Sequence, residues 1–151
     1  MSALVASVAF VPFGLAATQD CPDWTQNGTS LTYSSNDLWS AKPHSVVAGG
    51  ELHLTQCLSV PGIGYITQRP DFTMTFTGNG SAMRALEIRV RADCDTTLLV
   101  NDANLLWHFD DDSIGFDPRI RIDRANDGFY DIWVGTIDNQ PCRAVLELES
   151  F

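Results

Sequence analysis

Positive charge is scarce in this chain. Nine lysines and arginines stand against nineteen aspartates and glutamates, a formal net charge of −10 over 151 residues. Nucleic acid and anionic membrane surfaces both select for basic patches, so neither is an expected partner. Helical periodicity is missing as well, since no long segment repeats its apolar residues at a helical spacing. The absence of a Cys-x-x-Cys pair removes the zinc-ribbon and thioredoxin-type sites. Neither a Gly-x-Ser-x-Gly elbow nor a His-Glu-x-x-His helix occurs, and His44, His53 and His108 are scattered. Catalysis therefore has no motif to rest on. With no repeat, low-complexity tract or linker, a chain of this length predicts one domain.

What is present begins with a charge-free start. The stretch from Ala3 to Ala17 is almost wholly apolar and ends on Gly14-Leu15-Ala16-Ala17, as a secretory signal peptide does. It lacks a positive leading region. It is also short for a membrane span, and Pro12 and Gly14 interrupt it. The expectation is a signal peptide over 1–17 and a mature domain over 18–151, secreted or periplasmic, with no membrane insertion once the signal is removed. Four cysteines, Cys21, Cys57, Cys94 and Cys142, lie beyond that point. An even number in an exported chain predicts two disulfides. Cys21–Cys57 and Cys94–Cys142 are the expected pairs, because each flanks a coherent block of strands.

The body of the chain alternates with the period of a strand. Phe72, Met74 and Phe76 lie on one side of their segment, and Leu86, Ile88 and Val90 on one side of theirs. Arg119 to Ile122, Gly128 to Val134 and Cys142 to Glu149 continue the pattern. Gly49-Gly50 suggests the turn of a hairpin between Val46–Ala48 and Glu51–Cys57. Many short strands separated by glycine, proline and asparagine turns predict an all-β antiparallel sandwich or barrel.

The most pointed chemical feature is Asp110-Asp111-Asp112, with Asp117 close behind. Neighbouring carboxylates repel one another unless something positive sits among them. Calcium takes about six to eight oxygen ligands, and Asp110, Asp111, Asp112 and Asp117 with a loop carbonyl could supply part of such a shell. Asp95, Asn101, Asp102 and Asp131 are second candidates if the strands bring them close. Side chains alternate along a strand, so Asp110 and Asp112 are expected together, with Asp111 turned away. The plain alternative is a solvated acidic turn. Trp24, Trp39, Trp107 and Trp133 admit two readings. Alternation puts Trp133 and Asp131 opposite Tyr130, Ile132 and Val134, which suits either a glycan-stacking face or cross-strand packing.

The order Asp95-Thr96-x-Leu98, Asp110-Asp111-Asp112, Arg119-Ile120 and Gly128-x-Tyr130-x-Ile132-x-Val134 resembles the bacterial pre-peptidase C-terminal domain family. The likeness covers Leu86 to Leu148. Pro118 stands where that family carries serine, and the cysteines and tryptophans lie outside its general pattern. The resemblance implies a jelly-roll-like β-sandwich related to the collagen-binding domains of collagenases. It also implies an accessory role in secretion, adhesion or targeting, with calcium bound in some members. The expected function is thus an exported, non-catalytic binding module for a protein or glycan. A small hydrolase or glycan-acting enzyme using Asp and His residues of the acidic loop, and a periplasmic protease inhibitor or assembly partner, are the alternatives.

Overall fold

The computed structural model describes residues 20–151, so the expected signal peptide lies outside the described residues. Eleven strands are formed: β1 (Thr29–Ser34), β2 (Lys42–Ala48), β3 (Leu52–His53), β4 (Tyr65–Ile66), β5 (Phe72–Thr77) and β6 (Leu86–Ala92), then β7 (Thr96–Asn101), β8 (Trp107–Asp110), β9 (Arg119–Ile122), β10 (Gly128–Thr136) and β11 (Cys142–Ser150). They make two sheets, as expected of a sandwich. The larger runs β1-β5-β10-β7-β8, and β4 with β3 joins the end of β10 through Thr136 and Tyr65. The smaller runs β2-β11-β6-β9. All pairings are antiparallel except β1–β5, which run parallel from Thr29↔Phe72 to Ser34↔Thr77.

Alternation builds the core. Phe72, Met74 and Phe76 of β5, Leu98 and Val100 of β7, and Tyr130, Ile132 and Val134 of β10 face inward from the larger sheet. Leu86, Ile88 and Val90 of β6 and Leu146 and Leu148 of β11 meet them from the smaller one. The smaller sheet's other face is charged, as alternating charge predicts, with Glu87 and Glu147 buried among their ion-pair partners. There Arg89 bonds Glu87, Glu147 and Glu149 at 2.7–2.9 Å, and Arg91 pairs with Glu147.

The larger sheet differs, because its outer face is also partly core. Leu99 and Trp133 project outward and pack with Leu54 and Ile66, flanked by Leu52, Val60, Trp107 and Phe109. The covering residues come from the segment 52–66, which folds over the sheet as a roof. Two disulfides hold the ends. Cys21 bonds Cys57 and Cys94 bonds Cys142, the expected pairs, with Cα atoms 5.8 and 6.5 Å apart.

The hairpin expected at Gly49-Gly50 does not form. β2 pairs with β11 in the smaller sheet, whereas β3 pairs with β4 in the larger. Gly49 donates its N–H to Val134 O as the chain crosses between sheets. A Cβ on Gly50 would fall on the backbone of Ile66, so the crossing needs a residue without one. The strand expected over Glu51–Cys57 shortens to Leu52–His53, then turns as a short 3-10 helix at Leu54–Gln56 that buries Leu54 beneath the roof.

Trp133 is the keystone of that second cluster and is fully buried. Truncating a buried Trp or Phe to alanine costs about 3–5 kcal/mol. Trp133→Ala should lower unfolding stability by about that much in urea titrations. A loss under about 1 kcal/mol would mean that the roof is not packed as described.

Candidate functional site

The acidic stretch is a strap between the sheets, leaving β8 and entering β9. Two of its aspartates, Asp110 and Asp117, are engaged with backbone. Asp110 Oδ2 accepts the N–H groups of Ser113 at 3.2 Å and Arg119 at 2.8 Å. Ile114 and Asp117 exchange both backbone hydrogen bonds around Gly115, and Asp117 Oδ1 accepts from Ala92 N. Asp111 feels the charges of its neighbours. Burial raises its pKa first, and the charges of Asp112, Asp110 and Asp95 raise it further. Yet among the described residues no three His, Cys, Asp or Glu side chains converge to hold a metal ion. Asp131 belongs elsewhere, on the outer face of β10.

His108 turns to Asp102 rather than to the strap, with Nε2 2.7 Å from Asp102 Oδ2. Asp102 Oδ1 meanwhile accepts the N–H groups of Asn104 and Leu106, closing the β7–β8 turn. Burial alone would raise the Asp102 carboxyl. The bond to His108, the two backbone donors and the attraction of His108 together hold it below its usual range. Both groups are occupied in shaping a turn.

Trp133 takes the face of β10 that alternation gives it, but that face is covered, so it is a core ring and not a ligand-binding one. Its ring centroid lies 5.5 Å from that of Trp107, and Nε1 donates to Gln68 O. A ring with no exposed surface presents no face to a sugar, so packing is the reading that fits. Trp107 is half-buried at the margin of the same cluster.

One step along from the roofed row, the outer face changes character. Thr73, Asp131 and Asn101 are direct partners across β5, β10 and β7, so their side chains form one polar rung. All three are buried. Thr73 Oγ1 donates to Asp131 Oδ1 at 2.6 Å while accepting the N–H of Gly28 at 2.9 Å. Burial raises the Asp131 pKa, and the Thr73 bond opposes it. Asn101 Nδ2 has no hydrogen-bond partner. The rung lines a cavity of about 360 Å³, rimmed by Trp24, Leu105 and Phe129. That size falls in the lower range of small-molecule sites, about 300–1,000 Å³. Trp24 and Phe129 are 42% and 65% exposed, leaving apolar rings in water beside a polar floor.

Cross-strand register is what brings this rung together. Asp131 and Asn101 were visible as candidates, but Thr73 and Phe129 were not. Trp24 reaches the rim because its arm is pinned by Cys21–Cys57 and by Asp23 N to Gln68 O.

Comparison with known proteins gives little to add. A solved pre-peptidase C-terminal domain of a collagenase from Bacillus anthracis is similar at 13% identity, covering 83% of this chain and 98% of that one, with a TM-score of 0.43. No family model matches the sequence, and no curated protein matches it. At that identity and score the likeness assigns no role to any residue here.

A second carboxylate, half-buried, lies nearby. Asp71 Oδ2 accepts the N–H of Val134 at 2.7 Å, and burial pushes its pKa up to about 7 against that bond. A raised carboxyl pKa stabilises the fold fully below the unfolded value of 3.8 and is lost as pH rises through about 7. Asp71→Asn should therefore gain stability relative to wild type as pH is raised across that window, read by urea unfolding at each pH. A difference that does not change with pH would show that Asp71 is ionised throughout.

Proposed function

We propose that this chain is an exported, non-catalytic binding module whose ligand enters the cleft over Thr73, Asp131 and Asn101. The observation that carries the reading is Asn101 Nδ2, a buried donor left without a partner on the floor of a cavity with aromatic walls. An unpaired buried polar group costs about 1–3 kcal/mol, which a ligand acceptor would recover. Two disulfides suit an oxidising compartment. Among the described residues no helix is long and apolar enough to cross a membrane. The motif order along Leu86 to Leu148 supports an accessory role.

The non-catalytic part rests on where the reactive groups are. No histidine lines the cleft. His44 lies against Tyr33 Oη, His53 against Thr55 Oγ1 and His108 against Asp102, each in a local structural contact. Of the two cleft carboxylates, Asp102 is committed to its turn, and Asp131 lacks an acid–base partner of the kind hydrolysis needs.

A fragment screen by protein-observed ¹H–¹⁵N NMR tests this reading, run beside assays for ester, glycoside and phosphate hydrolysis. Fragments should map to the Asn101 and Trp24 resonances and lose contact in Asp131→Asn, with no turnover of any substrate. Turnover abolished by His108→Ala would replace the binding module with an enzyme. Fragments gathering only elsewhere would move the site.

A further inference from the structure

We infer that the cleft recognises a neutral polyhydroxylated ring, a glycan residue presenting adjacent hydroxyls to Asp131 and Asn101. The inference rests on the cleft being the ligand site, and adds the chemistry of what fills it.

The floor offers a carboxylate and an amide donor side by side, because Asp131 and Asn101 are register partners on β10 and β7. Directly opposite residues hold their Cβ atoms about 4.5–5.5 Å apart, close enough for neighbouring groups of one small ligand. A carboxylate accepts only, and the NH₂ of an asparagine donates. An ammonium ligand would answer Asp131 but leave Asn101 Nδ2 unpaired. A carboxylate or phosphate ligand would answer Asn101 but bring its charge against Asp131 and Asp102, in a chain of net charge −10. A hydroxyl both donates and accepts, so two neighbouring hydroxyls satisfy both groups with no charge buried.

The remainder of the cleft agrees. Thr73 Oγ1 already has Gly28 as its donor and Asp131 as its acceptor, so it fixes the carboxylate rather than competing for the ligand. Trp24 and Phe129 stand exposed at the rim, as apolar faces for the C–H side of a sugar ring. A cavity of about 360 Å³ suits a terminal residue rather than a long chain laid along a groove. The sugar-stacking face is therefore not the Trp107–Trp133 pair but the rung next to it.

The test uses ¹⁵N-labelled mature protein titrated with methyl β-galactopyranoside and methyl α-mannopyranoside, with choline and acetate as cation and anion controls. The Asn101 side-chain amide and the Trp24 indole should shift with at least one glycoside and with neither control. Asp131→Asn should weaken that glycoside about tenfold, the loss of one charge-assisted hydrogen bond. Phe129→Ala, a change at an exposed position that leaves the core intact, should weaken it severalfold. Choline or acetate shifting these resonances while both glycosides fail would overturn the diol inference and leave the cleft reading standing. A wild-type response matched in both variants would overturn it as well. Silence from all four probes rejects the inference, and rejects the cleft reading too if the fragment screen is also blank.

Discussion

Burial of β10 on both faces is the constraint from which the rest follows. Tyr130, Ile132 and Val134 fill the space between the sheets, while Trp133 fills the space beneath the roof. A strand so placed cannot slip by one residue, because a slip would exchange every side chain between two packed environments. Its register with β5 and β7 is thereby fixed. Fixed register then sets Thr73, Asp131 and Asn101 in a line, one step beyond where the roof ends. The cleft is a consequence of where apolar cover stops.

Disulfides and glycines serve that same arrangement. Cys21–Cys57 ties the arm carrying Trp24 to the end of the roof segment. Gly28 lets the arm lie against the backbone of Pro70 and Asp71, where a Cβ would collide, and its N–H reaches Thr73. One hydrogen-bond chain thus runs from the arm through Thr73 to Asp131. Its members are uncharged apart from the last, so the carboxylate is held in place without a neighbouring cation. That suits a site for neutral ligands better than one for ions.

Much of this fold was legible from period-2 alternation. Phe72, Met74 and Phe76, and Leu86, Ile88 and Val90, fall inward as read, and the cysteine pairs follow from the strand blocks they enclose. The glycine hairpin at Gly49-Gly50 failed because a glycine pair marks close backbone approach as readily as a turn. Trp133 illustrates a deeper limit. Alternation says which side of a strand a residue takes, but not whether another segment covers that side. The roof is made of short, irregular pieces around Leu54 and Ile66 that carry no periodic signal. The acidic run drew attention through its density, yet Asp110 and Asp117 serve backbone donors of the strap. The quieter Asp131 and Asn101 gain their meaning only from pairing across strands distant in sequence.

The covered state of Trp133 is the central claim and can be read from tryptophan fluorescence. In a variant carrying Trp24→Phe, Trp39→Phe and Trp107→Phe, which removes the two exposed rings and the half-buried one, emission comes from Trp133 alone. The account predicts blue-shifted emission that iodide barely quenches until the protein is unfolded. Red-shifted emission, quenched by iodide in the folded protein, would mean that the outer face of β10 is open to solvent. The roof, and the cleft defined by its edge, would then both be wrong.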